Sequence, residues 1–357
     1  AMRLFFGHLK RLDSEQQAIR SLGGFLSRIY GFLTNFRNFL YDNSLLRVYQ
    51  PHIPVICVGN LTAGGTGKTP LVLALVASLI ERGERPVIVS RGYGGRLSGP
   101  HRVTIDDRHE DVGDEPLLMA RRSKCDVVIA RNRVAGARFV EDAGIATVIV
   151  LDDGFQHRRL GRTCNIVSFF VGSEQAVAEI ESGELLPKGR FREDRDQGLR
   201  RADFVAFCER GGGLSDRMRS IVQACIPPHL PLFEIAAIAS APTRNGTVLE
   251  QGPVWLFCAI ANPEGFLNSV QRQGYTIIGT TWFPDHHQWS VSELAELKER
   301  AGSVPLVCTE KDWIKLPETL RNEVWVVYLN VELPETLIEG VLEKCNLGVG
   351  SSKKSVE

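Results

Sequence analysis

Eight residues, Thr62-Ala63-Gly64-Gly65-Thr66-Gly67-Lys68-Thr69, stand between a short apolar run and a segment of helical periodicity. Glycines at this spacing let successive backbone N–H groups curl around phosphate oxygens. The helix that follows adds the positive end of its dipole, and Lys68 adds a full charge. Thr69 offers a hydroxyl where a phosphate-bound Mg²⁺ takes an oxygen ligand. The strict phosphate-loop pattern opens on glycine, whereas this chain has Thr62; the Gly-Gly-Thr-Gly-Lys-Thr tail is complete. Thr62, Ala63, Gly64, Gly65, Thr66, Gly67, Lys68 and Thr69 are therefore the expected nucleotide-binding set. Such a loop works where a strand ends and a helix begins, so the surrounding chain is expected to be α/β.

The flanking pattern agrees. Pro54–Val58 reads as a buried strand and Pro70–Glu81 as a helix. Pro86–Ser90, Glu115–Ser123, Asp126–Ala130, Val134–Ala143 and Thr147–Leu151 continue the alternation. This predicts a P-loop NTPase-like parallel sheet with helices on both faces and ligands at the strands' carboxyl ends. Beyond Pro231 come shorter strand-like runs: Phe233–Ala239, Pro253–Ala259, Tyr275–Thr280, Pro305–Thr309 and Val324–Asn330. The helix-like segments Pro263–Gln273, Val291–Ala301 and Glu335–Lys344 intervene, which suggests a smaller C-terminal α/β domain. With Pro227-Pro228 to Pro231 as boundary, the expected units are a helical segment 1–50, a core 51–231, a domain 232–347 and a loose tail 348–357.

The apolar run ending at Leu151 is followed by Asp152-Asp153-Gly154-Phe155-Gln156-His157. Carboxylates directly after a buried strand hold Mg²⁺ beside a phosphate loop, so Thr69, Asp152 and Asp153 form the expected metal set. Asp153-Gly154 can also simply turn the chain. Gly113-Asp114-Glu115-Pro116 opens a helix, where a carboxylate can cap the first turn or accept a proton from an attacking hydroxyl. Lys188-Gly189-Arg190-Phe191-Arg192-Glu193 can clamp phosphate oxygens or be solvated surface. In the distal half, Phe283-Pro284-Asp285-His286-His287 and Thr309-Glu310-Lys311-Asp312 look chemical. Paired histidines with no third spaced ligand fit an acid/base or orienting role better than zinc.

Lys plus Arg and Asp plus Glu each number 42, so no global positive field is available to collect nucleic acid. The eight cysteines, no two within ten residues, mostly occupy apolar stretches, the pattern of reduced thiols in a cytoplasmic protein. Lys10-Arg11 and Asp13 precede any long apolar run, so a cleaved secretory signal is not expected. Overall neutrality hides a local excess of four positive charges over residues 1–50. There Phe25/Leu26, Ile29, Phe32/Leu33, Phe36 and Phe39/Leu40 recur at helical spacing, interrupted by Arg28 and Arg37. Such an amphipathic helix suits a lipid interface or packing on its own domain.

In this order the motifs resemble the tetraacyldisaccharide 4'-kinase family of lipid A biosynthesis, from about Phe25 to about Leu342. They are Gly59-Asn60 through Lys68-Thr69-Pro70, Ser90-Arg91-Gly92-Tyr93-Gly94-Gly95, Gly113 to Pro116, Leu151 to His157, Leu186-Pro187 with Arg192-Glu193, Asp285-His286 and Thr309 to Asp312. The resemblance implies ATP and Mg²⁺ as cofactors and a lipid A disaccharide 1-phosphate precursor as acceptor. It implies a peripheral or monotopic place on the cytoplasmic face of the bacterial inner membrane, reached through residues 22–41, with no nucleic acid and no protein partner. It also implies Asp114 as base paired with His286, Arg192 on the phosphates beside Lys68, and Asp152 and Asp153 at the Mg²⁺ site. Two departures stand out: Ala259-Ile260-Ala261-Asn262-Pro263 where the family has Gly-Ile-Gly-Asn-Pro, and Arg190-Phe191 where Pro-Leu is common. A nucleotide switch or membrane-positioning ATPase of the deviant P-loop type shares the loop but does not require the distal clusters. A soluble small-metabolite kinase does not require the aromatic, basic N-terminal stripe.

Overall fold

The computed structural model describes residues 23–64, 67–210, 214–285 and 287–348. Residues 1–22, 211–213 and 349–357 lie outside the described residues, as do Gly65 and Thr66 of the expected nucleotide-binding set and His286, the expected partner of Asp114. The first strands are β1 Val55–Gly59, β2 Pro86–Ser90, β3 His101–Val103, β4 Asp126–Ile129, β5 Val148–Asp152, β6 Cys164–Phe170, β7 Phe204–Arg210 and β8 Leu232–Ala239. A smaller sheet follows, with β9 Thr243–Arg244, β10 Thr247–Val248, β11 Pro253–Cys258, β12 Thr276–Trp282, β13 Leu306–Thr309 and β14 Trp325–Val327. The chain then returns to the first sheet as β15 Leu329–Val331.

Among the described residues the large sheet runs β15-β8-β7-β6-β1-β5-β2-β4-β3, parallel except for β15 and β3 at its edges. β1 lies between β5 and β6, with Val58 opposite Asp152 on one side and Ile166 on the other. The phosphate loop therefore leaves the sheet beside the strand that ends in aspartates.

Alternate side chains of β1 serve opposite faces. Ile56 and Val58 join a core with Leu71, Leu75 and Leu79 of the helix Lys68–Glu81. Val55 and Cys57 join another with Val140 of Arg133–Ala143 and Val222 of Asp216–Ala224. Because both faces are dry, the central strands read as unbroken apolar runs. In the smaller sheet, ordered β10-β9-β14-β13-β11-β12, Val254 and Leu256 face one core and Phe257 the other. Asn262 caps Pro263–Arg272 with proline in its first turn, and Ser290 and Glu293 form a capping box on Val291–Ala301.

The change of sheet does not coincide with the Pro227–Pro231 break. Phe233–Ala239, expected as the first strand of the second domain, lies in β8, which pairs in parallel with β7 and extends the core. Val324–Asn330, expected as one strand, divides at Tyr328: Trp325–Val327 pairs in the small sheet and Leu329–Val331 pairs antiparallel with β8. The helix Glu335–Cys345 then buries Leu337, Ile338 and Val341 in the same core as the phosphate-loop helix. An edge strand leaves backbone groups that another strand can satisfy, and a local apolar run does not say which sheet it will join. Sequence reasoning passed over β6 and β7, whose apolar runs are broken by Asn165, Ser168 and Glu209.

Residues 23–42 form a helix whose buried positions are Ser27, Gly31, Thr34 and Asn38. Phe25, Phe32, Leu33 and Phe36 on its other side are 51–69% exposed. The helix thus turns its small and polar stripe toward the protein. Gly31 permits this approach, since a Cβ there would stand 2.7 Å from Leu185 Cδ1. Among the described residues no helix is long and apolar enough to cross a membrane.

Candidate active site

The carboxyl ends of the central strands open into a cleft of about 1430 Å³ shared by the two sheets' units. Lys68, Asp114 and Asp153 line it from the large-sheet side, and Asn262, Asp285 and Lys311 from the other. Gly67 ends the phosphate loop at φ 72°, a left-handed conformation that glycine adopts without a steric clash. The helix starts directly after it with Lys68 and the buried Thr69.

Lys68 Nζ lies 3.2 Å from Asp153 Oδ1. Arg192 donates from one guanidinium nitrogen to both oxygens of the same carboxylate, at 3.0 and 3.1 Å. Burial raises the Asp153 carboxyl, but the Lys68 and Arg192 charges outweigh it and hold the group below its usual range. Asp152 differs although it is adjacent. Buried and accepting a 2.9 Å hydrogen bond from Ser90 Oγ, it is pushed up to about 6 by burial, with the Glu115 charge adding to the rise.

Backbone pairing places Arg192. Its N–H donates to Leu61 O at 2.7 Å, and the Ala63 N–H donates to Arg190 O at 2.7 Å. The segment around Phe191 is thus bridged antiparallel to Thr62 in the phosphate loop itself. The Arg190 guanidinium donates to Ala63 O at 2.7 and 3.0 Å, so this arginine is bound to the loop rather than merely solvated.

Asp114 is the first residue of the helix Asp114–Arg122, and the cap position belongs to Gly113 at φ 94°. A Cβ at Gly113 would stand 2.5 Å from Tyr93 O. Asp114 therefore lies inside the first turn, on the cleft, and does not serve as the cap. Its neighbour Glu115 reaches Lys311 of the other unit at 2.6 Å, and that charge lowers the Glu115 carboxyl against the effect of burial. Arg122 and Glu310 form a second bridge at 2.7 Å.

The distal motifs divide in role. Asp312 accepts the Ala259 N–H at 2.9 Å and the Thr309 hydroxyl at 2.7 Å, so it braces the ends of β11 and β13. Ala259 is buried, and its N–H stays in use although a methyl replaces the expected glycine. Lys311 faces the cleft. His287 stacks on Phe283 with ring centroids 4.4 Å apart, and its Nε2 lies 3.0 Å from Glu293. His286 lies outside the described residues, while the adjacent Asp285 lines the cleft.

Sequence reasoning missed the basic wall formed by Arg131, Arg133 and His157 beside Arg91. The available signal was the pair of arginines directly after a buried strand. Burial first, and then the Arg133 and Arg159 charges, push His157 down to about 4, so the ring is neutral at pH 7. Its Nε2 is buried with no hydrogen-bond partner among the described residues.

A family model described as tetraacyldisaccharide-1-P 4'-kinase (LpxK) matches residues 20–346. The chain belongs to the tetraacyldisaccharide 4'-kinase family. A tetraacyldisaccharide 4'-kinase from Bradyrhizobium diazoefficiens is 38% identical over 85% of this chain and 83% of its own length. Those from Geobacter sulfurreducens and Aeromonas hydrophila are 34% and 32% identical, each over 95% of this chain and 98% and 96% of their own lengths. A crystal structure of LpxK from Aquifex aeolicus in complex with ATP superposes with a TM-score of 0.74 at 27% identity, covering 91% of this chain and 99% of that one. Tetraacyldisaccharide 4'-kinases are lipid kinases, and the fold is the expected P-loop α/β arrangement.

Proposed function

We propose that the chain transfers the γ-phosphoryl group of ATP to the 4'-hydroxyl of a tetraacyldisaccharide 1-phosphate, at the cytoplasmic face of the inner membrane. The observation that carries this reading is the single cleft that brings Lys68, Asp153 and Arg192 together with Asp114. β1 has β6 and β7 on one flank and β5, β2 and β4 on the other. Phe170 and Ala237, at the ends of β6 and β8, offer the nucleoside an apolar wall. Arg91, Arg131 and Arg133, beyond β2 and β4, suit an acceptor that itself carries a phosphate.

The chemistry is in-line displacement, in which positioning and charge neutralisation do most of the work. On nucleotide binding, phosphate oxygens replace Asp153 as partners of Lys68 and Arg192, which then stabilise charge on the transferring group. Asp114 accepts the proton of the attacking hydroxyl, with His286 as its partner. Thr69, Asp152 and Asp153 would hold Mg²⁺, and their hard oxygen atoms suit that ion. The Asp152 carboxyl is raised first by burial and then by the Glu115 charge, and a dication beside it would favour its charged form. When bound, Mg²⁺ supplies charge neutralisation to the phosphates.

The outward apolar face of helix 23–42 supports attachment to the lipid surface that carries the acceptor. Its rings would enter the acyl boundary while the exposed Arg28 meets anionic headgroups; Arg37 instead lines the cleft, with its Nε buried. The reading is tested by incubating the protein with Mg-ATP and detergent-dispersed tetraacyldisaccharide 1-phosphate. Mass spectrometry should find one added phosphate on the lipid. Nucleotide hydrolysis with no phosphorylated lipid would instead support a switch ATPase.

A further inference from the structure

Helix 23–42 reaches Arg192, the arginine proposed above to meet the phosphates, through side chains on its inward stripe. Tyr30 Oη donates to the Arg192 carbonyl at 2.8 Å. Two turns later, Asn38 Nδ2 donates to Glu193 Oε2 at 2.9 Å. Glu193 is fully buried, and its carboxylate also takes Gln156 Nε2 at 3.1 Å and an ion pair with Arg201. Gln156 completes the circuit. Its Nε2 also donates to Asn60 O at 2.9 Å, and its Oε1 accepts from Arg192 at 3.4 Å. A line of polar contacts therefore runs from Asn38 through Glu193 and Gln156 to Arg192, and from Arg192 to Asp153.

We propose that Tyr30 and Asn38 are positioning residues for Arg192, so that the helix carrying the outward apolar face also sets the cation that meets the transferring phosphoryl group. This rests on the reading of Arg192 given above. Two features make the line consequential. A buried carboxylate needs its donors, because an unmet lone pair in a dry site is unfavourable and the side chain would turn to find another partner. Arg192 has its N–H on Leu61, its carbonyl on Tyr30 and its guanidinium on Asp153 and Gln156, so a shift at either end of the line moves its charge relative to the phosphate loop. A displacement of about 1 Å at such a group is felt as a large loss of rate. The inward stripe holds the helix by hydrogen bonds for which water competes.

The test uses the full chain carrying Tyr30→Phe, Asn38→Ala, or both, assayed at saturating Mg-ATP with the detergent-dispersed acceptor. Tyr30→Phe removes one oxygen and leaves the fold and the apolar face in place. The expected kcat falls about three- to tenfold for Tyr30→Phe and about tenfold or more for Asn38→Ala, which leaves a buried carboxylate short of a donor. The double variant should fall by less than the product of the two, since both act on one arginine. KM for the acceptor and sedimentation with anionic phosphatidylglycerol vesicles should stay within about twofold, and Asn38→Gln should recover more activity than Asn38→Ala. An unchanged kcat in both single variants overturns the proposal. So does a loss confined to KM or to vesicle binding, which makes the helix an anchor only. Arg192→Ala is run alongside. If it turns over as wild type does, the reading of Arg192 itself is wrong; if it fails while Tyr30→Phe and Asn38→Ala do not, only the positioning role falls.

Discussion

Lys68 Nζ and Asp153 Oδ1 lie 3.2 Å apart, an ion pair that ties the phosphate-loop helix to the end of the neighbouring strand. The same carboxylate holds Arg192, so one acidic group keeps two cations in place where phosphate oxygens would otherwise meet them. With the roles proposed above, this dual attachment gives nucleotide binding and turnover separate readouts.

Asp153→Asn should lower kcat by about a hundredfold, through loss of a carboxylate proposed for the metal site. In chelator it should bind ATP about fivefold more tightly, because a negative charge facing the phosphates has gone. Isothermal titration with EDTA present, beside steady-state rates in Mg²⁺, checks both directions. Weaker metal-free binding would contradict the idea that Asp153 competes with phosphate for Lys68.

His157 makes stability fall toward acid pH in a defined window. Its folded value is about 4 against the ordinary 6.5. Between these the unfolded chain binds a proton that the folded chain refuses, so stability is intact above 6.5 and declines as pH drops toward 4. The loss is on the order of 2 kcal/mol for a group that is not fully buried. His157→Gln should remove this component, making urea-unfolding free energies at pH 7 and pH 4.5 more alike than in wild type. Parallel pH curves for the two proteins would refute the assignment.

The Glu115–Lys311 bridge at 2.6 Å joins the two units beside the candidate base. Lys311 lowers the Glu115 carboxyl, so the bridge contributes above the ordinary value of 4.5 and its contribution is lost as pH falls through the lower folded value. Both side chains are about 40% exposed, so salt screens the pair. Lys311→Ala should lower the melting temperature by about 1 °C at pH 7 and low salt, with the difference closing in acid or in about 1 M salt. Calorimetry at two pH values and two salt concentrations reads it directly.

Phe32 and Phe36 stack with centroids 6.3 Å apart on the outward face of helix 23–42. Replacing each with serine should weaken vesicle binding about tenfold per ring, since the proposed seating places each ring's apolar surface in the acyl boundary. Stability in detergent-free buffer should change by less than about 0.5 kcal/mol, because neither ring packs in a core. Flotation with anionic liposomes and urea unfolding separate the two effects. Undiminished flotation would remove the lipid-facing reading of this face.

Much of the site was legible in the linear chain because its signals are local. A buried strand, a glycine-rich loop with Lys68-Thr69 and a helix are consecutive, and Asp152-Asp153 directly follow their own strand. Asp114 was visible as a carboxylate at a helix start, yet adjacent residues could not separate capping from chemistry. The capping alternative is excluded by Gly113, whose φ of 94° takes the cap position while Asp114 lines the cleft. Arg131, Arg133 and His157 were illegible as a group, since they follow two strands, β4 and β5, that flank β2 in the sheet and whose ends open on one cleft.

Periodicity and spacing by themselves determined the alternating core, the nucleotide loop, the acidic strand end and the apolar stripe near the N-terminus, because each depends on residues a few positions apart. Tertiary structure alone decided that β8 and β15 close the first sheet, that the stripe faces outward, and that Tyr30 meets Arg192 across 162 positions of chain. Those outcomes depend on which distant backbone and side-chain groups satisfy one another once water is excluded, and no local pattern carries that information.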